Sequence, residues 1–197
     1  MHVFSAYRPH ARGLLTLGLP LVGSHLAQVA IGVTDAVMLG WYDVAALAAV
    51  TLAHSIWFVI FIVGSGFAFA VLPLVASAEG AGETRQVRRV TRMGLWLSIL
   101  YGLVMLPPLI WSKPLLLAMG QGDHVAALAA DYLWITAFAM IPALLSMVLK
   151  NYLAALERSQ PVLWITVAAA VLNGGLNYLL IFGAFGFPEL GLRGAAR

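Results

Sequence analysis

The sequence predicts an all-α, polytopic membrane helix bundle, and three observations support this prediction. Hydrophobic residues make up 62% of the 197 residues and charged residues only 10%, whereas soluble globular chains are about 45–50% apolar and about 25% charged. The mean hydropathy of +0.94 leaves too few polar side chains to cover a water-soluble fold. The apolar runs are rich in Ala and Leu and lack strand-like alternation, which favours spanning helices over a membrane barrel.

Five apolar stretches are long enough to cross a bilayer, for which a helix needs about 20 mostly apolar residues. In chain order they are predicted at about 14–38, 44–76, 93–111, 125–148 and 161–185. The segments between them are predicted to be short loops, at 40–43, 79–92, 113–124, 151–160 and 186–193. A sixth apolar segment begins near the C-terminus, so the chain contains five spans and the start of a sixth.

The first stretch follows Arg8 and Arg12 and resembles a signal peptide in that respect. Its apolar run is far longer than the 7–15 residues or so of a signal-peptide core, so we interpret it as a retained first span. We therefore predict a cytoplasmic N-terminal leader over residues 1–12 and a transmembrane lobe over residues 13–197.

Lys and Arg are concentrated in alternate loops. On one side of the membrane the sequence places Arg8, Arg12, Arg85, Arg88, Arg89, Arg92, Lys150 and Arg158. The opposite loops contain only Lys113 and Arg193. Since cytoplasmic loops carry the excess of basic residues, the N-terminus is predicted to be cytoplasmic. The arginines at 85–92 could also contact anionic lipid headgroups, although fixing the topology is the interpretation we favour.

Asp35 is the most informative single residue, because it falls inside the first apolar stretch with no Lys or Arg near it in sequence. A charge at mid-membrane costs about 2.5–3.5 kcal/mol on insertion scales, so such a residue usually faces a cavity or a partner. A carboxylate there could bind a proton or a sodium ion. The alternative is a position near the outer interface, where Asp35 would reach water at little cost.

Two further features accompany Asp35. Pro20, in the same stretch, removes a backbone hydrogen bond and predicts a bend, either as a moving part or as a static kink. Asn173 and Asn177 are spaced i, i+4 in the fifth stretch, so their amides share one helix face. They could coordinate a cation, or they could simply join helices by hydrogen bonds.

Weaker candidates for cavity-lining side chains are Gln28, Thr34, His54 and Trp57. An aromatic cluster around Trp57 could bind organic cations through their charge, but aromatic side chains on spanning helices more often face lipid or other helices. Gly94, Ser98 and Gly102 recur every four residues, which predicts a face for close helix packing.

The sequence contains few features that would indicate an enzyme. It contains no nucleotide-binding glycine motif, no zinc-protease motif and no serine-hydrolase motif, and its histidines lack the spacing of metal ligands. Zero cysteines exclude a disulfide framework and a thiolate site. Asp35 is the one acidic residue that we place clearly at membrane depth. We predict no enzymatic activity, no bound metal centre and no cofactor.

Three groups of residues share their order and spacing with one known family. They are Gly18-Leu19-Pro20-Leu21 with Gln28 and Thr34-Asp35; Leu72-Pro73-Leu74-Val75-Ala76 with Gly80-Ala81-Gly82; and Leu172-Asn173 with Leu176-Asn177-Tyr178, Phe182-Gly183 and Pro188-Glu189-Leu190-Gly191. Through these segments essentially the whole chain resembles the multidrug and toxic compound extrusion family, and within it the NorM-like branch.

The resemblance implies a twelve-helix transporter with two six-helix lobes, located in the bacterial inner membrane. Such proteins export cationic or amphipathic drugs in exchange for Na⁺ or H⁺ by alternating access. Residue by residue, Asp35 matches the acidic residue of the family's first helix, Asn173 and Asn177 match polar partners on the fifth, and Pro20 matches a bending proline. Some members carry Asp where this chain has Asn177, which weakens any mechanism that needs a carboxylate pair.

The chain is also short for this family, since a sixth helix and a C-terminal lobe would lie beyond it. We expect an N-terminal fragment that cannot transport alone, because alternating access requires two lobes. The alternatives are a lipid-linked oligosaccharide flippase of the same superfamily, a membrane-embedded enzyme, and a structural membrane subunit. A flippase cavity would need Lys or Arg inside the spans, and no span interior contains one.

Overall fold

A computed structural model describes the backbone of residues 3–42 and 44–182 and, within them, the side chains of 18–34, 36–37, 40–41 and 47–176. The described backbone forms helices and turns, with no strand. The helices are α1 (Val3–Tyr42), α2 (Val44–Gly80), α3 (Thr84–Ile110), α4 (Ser112–Ala118), α5 (Asp123–Ala137), α6 (Met140–Ala155) and α7 (Gln160–Phe182). The predicted all-α class is confirmed.

The core lies between α2, α3, α5 and α6, while α1 packs mainly against α7. One buried cluster joins the start of α2 to α4 and α5, and includes Ala49, Leu116 and Ala126. A second cluster joins the end of α2 to the start of α3 and the end of α6, and includes Ala78, Val87 and partly buried Tyr152. The two clusters mark opposite ends of the bundle, which we call the α4 end and the basic end.

The prediction of a loop at 79–92 is wrong for most of this range, because α3 begins at Thr84. Arginine is a good helix former, and Val87 and Val90 are buried on the inner face of the same turns. The helix therefore begins before the apolar stretch predicted at 93–111. A tight turn precedes α3, in which Gly82 adopts a φ of 72° that other residues rarely tolerate, and the Glu83 amide donates to the Ala78 carbonyl at 2.8 Å.

The fourth predicted span is broken into α5 and α6, which meet at an angle of 50°. Pro142, near the start of α6, has no amide hydrogen to donate to the Phe138 carbonyl one turn earlier. The predicted loop at 113–124 is likewise partly helical, since it contains most of α4. A salt bridge of 3.4 Å between Lys113 and Asp123 links α4 to the first residue of α5.

Gly94, Ser98 and Gly102 are all buried on α3 and form the predicted packing face. A Cβ at Gly94 would lie 2.5 Å from Cγ2 of Val71 on α2, and one at Gly102 would overlap Cγ1 of Ile141 on α6. These glycines let three helices approach closely, as the spacing predicts.

The described side chains include two helical segments long and apolar enough to cross a membrane, Leu47–Gly80 and Thr84–Ile110, and the bent pair α5 and α6 would make a third. The described parts of the other two predicted spans are shorter apolar helices, Gly18–Thr34 and Gln160–Leu176. The count of five spans remains a prediction.

Candidate functional site

A cleft of about 220 Å³ opens between α1, α2 and α5, toward the α4 end of the bundle. Two small residues on α1, Gly32 and Ala36, lie one turn apart along the cleft. The space beside them is open, since a Cβ at Gly32 would meet no atom within 4 Å. The lining residues are Gly32, Ala36, Leu47, Val50, Thr51, His54, Ser55 and Tyr132.

The polar wall of the cleft comes from α2. Thr51, His54 and Ser55 share one helix face through their i, i+3, i+4 spacing. The Thr51 hydroxyl donates to the Leu47 carbonyl and the Ser55 hydroxyl to the Thr51 carbonyl, both at 2.8 Å. Their hydrogens are therefore engaged within α2, while the oxygen lone pairs can accept hydrogen bonds or coordinate a cation.

His54 joins this wall to a row of aromatic rings on α2. Its ring is stacked near Trp57 and Phe58, with centroid distances of 6.3 and 6.0 Å, and Trp57 in turn stacks on Phe61 at 5.0 Å. Trp57 is half-buried, and its indole nitrogen donates to the Thr136 carbonyl at 3.1 Å. Trp57 therefore links α2 to the break between α5 and α6, and it is not among the residues that line this cleft.

The first-helix candidates lie along α1 beside this cleft. Asp35 is in the same helical turn as Gly32 and Ala36, but its side chain lies outside the described residues. Gln28 is exposed one turn before Gly32, and Thr34 is half-buried. Pro20 is buried within α1, which continues through it as a helix.

Helix α7 lies on the other side of the Asp35 turn. A Cβ at Gly174 would lie 3.9 Å from the Thr34 methyl carbon, and one at Gly23 would lie 2.9 Å from Cδ1 of Leu163. Asn173 precedes Gly174 and is half-buried, with an interaction of its own. The side chain of Asn177 lies outside the described residues. The structure thus brings the backbones of the Asp35 turn and the Asn173 turn side by side.

Sequence reasoning missed three polar residues of the cleft, Thr51, Ser55 and Tyr132, and an acid elsewhere on α5. The i, i+4 spacing of Thr51 and Ser55 beside His54 could have indicated their shared face, whereas Tyr132 reaches the cleft only through the packing of α5 on α2. Asp131 lies within α5, inside the fourth predicted span. Asp131 is exposed on the face of α5 that carries Trp134 and Phe138.

Among the side chains that the structure describes, no group of three or more His, Asp or Glu could hold a metal ion. A single monovalent cation or a proton needs fewer charged ligands, and the hydroxyl, amide and carboxylate oxygens around α1 are of the type that binds hard cations.

Comparison with known proteins gives consistent results. Residues 20–179 match the MatE family. The chain is 49% identical over 98% of its length to a probable multidrug resistance protein NorM of Rhizobium meliloti, and 44% identical over 95% of its length to the protein of the same name in Agrobacterium fabrum. It spans about two fifths of each relative, 41% and 40%.

A solved structure of similar fold is described as the outward-facing conformation of a multidrug resistance MATE family transporter of the MOP superfamily. The TM-score is 0.84, the identity is 21%, and the match covers 93% of this chain and 40% of the other.

Proposed function

The chain belongs to the MatE family of integral membrane transporters, and from this premise we propose that it forms the N-terminal lobe of a cation-coupled multidrug efflux antiporter. The expected resemblance to the multidrug and toxic compound extrusion family and its NorM-like branch is confirmed. Membership of a transporter family favours transport over a membrane-embedded enzyme. We propose the activity, the substrates and the coupling ion for the longer protein, and this chain spans about two fifths of the length of its relatives.

The observation that carries the proposal is the position of the Asp35 turn. It lies between a cleft with hydroxyl and imidazole groups on one side and the Asn173 turn of α7 on the other. An acidic residue in a spanning helix is stable where water, a cation or a polar partner reaches it. Both neighbours of this turn supply such polar groups within an apolar lobe.

In the proposed mechanism, Asp35 binds the coupling ion, Na⁺ or H⁺, and Asn173 and Asn177 support it through their amide oxygens. Binding of the ion removes the negative charge from the cavity and weakens its attraction for a cationic or amphipathic organic substrate. The same change shifts the Pro20 helix between straight and bent forms. Gln28, Thr34 and His54 contribute to the lining, and release of substrate accompanies alternating access of two lobes.

A chimera tests this proposal, in which the chain replaces its matched segment in the Rhizobium meliloti relative. Expressed in an efflux-deficient bacterium, the chimera should export a fluorescent organic cation when a Na⁺ or H⁺ gradient is imposed. Asp35→Asn keeps the size of the side chain but removes its charge, so we expect ion-coupled efflux to fall by at least about tenfold. The purified 197-residue chain alone should show no efflux in vesicles.

Two control variants show whether the loss of ion-coupled efflux is specific to Asp35. Asp123→Asn removes a carboxylate at the start of α5, and Asp131→Asn removes one within α5; we expect both to retain ion-coupled efflux. Retention of coupling by Asp35→Asn at normal expression would overturn the role of Asp35. Loss in Asp131→Asn alone would move the ion-linked carboxylate to α5.

A further inference from the structure

Four arginines form a row along the outside of α3 at the basic end of the bundle. Arg85, Arg88, Arg89 and Arg92, which we call the basic stripe, are spaced i, i+3, i+4, i+7 over the first turns of the helix. All four are exposed, and Val87 and Val90 on the opposite face are buried in the core. The packed valines hold the stripe in a fixed direction.

The stripe continues directly into the apolar surface of the same helix. At 3.6 residues per turn, Arg85, Arg92, Trp96 and Leu103 lie within an arc of about 40°. Trp96 is 70% exposed and Leu103 is 51% exposed, so this face points away from the bundle. Since the outward apolar face of a spanning helix contacts lipid, the arginines lie directly above the lipids that cover Trp96.

The length of α3 places the stripe at the depth of the headgroups. Its 27 residues span about 40 Å, which exceeds the roughly 30 Å of hydrocarbon by about 10 Å. The distance along the helix from Arg85 to Arg92 is also about 10 Å. The edge of the hydrocarbon then falls near Arg92, Trp96 lies about one turn inside it, and the guanidinium groups of the stripe reach the phosphate layer.

The charges of the stripe are not neutralised within the described part of the protein. The salt bridge found there joins Lys113 to Asp123, at the other end of the bundle. Two carboxylates, Glu79 and Glu83, are exposed near the stripe, and neither forms a salt bridge with it. A groove of about 690 Å³ beside the turn is lined by Gly82, Glu83, Thr84, Arg85, Gln86 and Arg89. Four positive charges against two negative ones leave a net attraction for anions.

We propose that the basic stripe is a binding surface for anionic phospholipids, whose phosphodiester headgroups it engages while their acyl chains lie along Trp96 and Leu103. Guanidinium groups suit this role because they donate two parallel hydrogen bonds to a phosphate. An anionic lipid is favoured over a zwitterionic one because it neutralises the net charge of the stripe. The proposal does not depend on the transport function.

The test uses the purified 197-residue chain in detergent, titrated with phosphatidylglycerol or phosphatidylcholine and observed by native mass spectrometry. The unmodified chain should bind phosphatidylglycerol more tightly. The double variant Arg89→Gln/Arg92→Gln should reduce that affinity by at least about tenfold. Lys150→Gln/Arg158→Gln removes the same charge from the same end of the bundle but away from the stripe, and should leave the affinity within about twofold.

Equal affinity of the unmodified chain for both lipids overturns the proposal, whether or not any variant folds. Equal losses in both double variants also overturn it, because they would indicate a general charge effect without a defined surface. Helix content by circular dichroism establishes that each variant is folded.

Discussion

The side chain of Trp57 is the clearest case in which one residue connects two elements. Its indole donates to the Thr136 carbonyl at the point where α5 ends, and this carbonyl also accepts from the Ala139 amide at 3.0 Å. The carbonyl thus remains paired if the indole is removed. Two other side chains join α2 in the same way, since the Tyr101 hydroxyl donates to the Ile60 carbonyl at 2.7 Å and the Asn151 amide to the Ala68 carbonyl at 2.8 Å.

Trp57→Phe should lower the free energy of unfolding by about 0.6–1.5 kcal/mol, because it removes the donor and retains an aromatic ring against Phe61. The matched control is Trp96→Phe on the exposed face of α3, where no hydrogen bond is lost and the change should be near zero. Reversible unfolding in mixed detergent measures both. Equal stability of the two variants would show that the Trp57 hydrogen bond contributes nothing.

A functional residue can be identified from the sequence when the chemistry of its side chain is unusual for the stretch around it. Asp35 is notable because a charge is costly in an apolar run, and Asn173 is notable for its i, i+4 partner, so both can be singled out without a structure. Tyr132 cannot, because only the packing of α5 on α2 brings it to the cleft. The role of Trp57 was also hidden, since its partner is a backbone carbonyl 79 positions away.

At the scale of helices, hydropathy locates the membrane segments but not the helix ends. The third span is predicted to begin at Met93, yet α3 begins at Thr84, because backbone hydrogen bonds and the packing of Val87 continue beyond the apolar stretch. The break between α5 and α6 is less predictable. Pro73 lies within a continuous α2, whereas Pro142 lies beside a 50° bend. Proline permits a bend, and the packing around it decides whether one forms.

Two Gly→Ala substitutions should have opposite effects on stability, because only one of the two glycines lies where α3 and α6 approach closely. Gly102→Ala places a methyl group against Ile141, whose own Cα would be 3.5 Å away, so the helices must separate and stability should fall by about 1–3 kcal/mol. Gly66→Ala on α2 meets no atom within 4 Å and should raise stability by up to about 1 kcal/mol through better helix propensity.

Thermal unfolding in detergent would measure both effects. A Gly102→Ala protein at least as stable as the unmodified chain would show that α6 can move aside at no cost. The spacing of Gly94, Ser98 and Gly102 predicted this packing face correctly, because small residues at every fourth position have few other uses in a spanning helix.

At the scale of the whole molecule, the antiparallel arrangement of the helices separates the charges. The buried cluster that contains Ala78, Val87 and Tyr152 places the end of α6 beside the start of α3. Lys150 and Arg158 therefore lie at the same end of the bundle as the basic stripe, as alternate loops of a membrane protein should. Lys113, α4 and the start of α5 are at the other end. Sequence alone gives this alternation, because it follows from counting spans and basic residues.

The charge separation predicts the orientation of the bundle in the membrane, and the absence of cysteine makes it directly measurable. Thr84→Cys lies at the first residue of α3, beside the basic stripe, and Gln121→Cys lies between α4 and α5. In intact bacterial cells a membrane-impermeant thiol reagent should label Gln121→Cys, and should label Thr84→Cys only after the cells are opened, since basic loops are retained in the cytoplasm. Labelling of Thr84→Cys in intact cells would invert the topology and place the basic stripe in the outer leaflet. Labelling of both positions would contradict a bundle that crosses the membrane between its two ends.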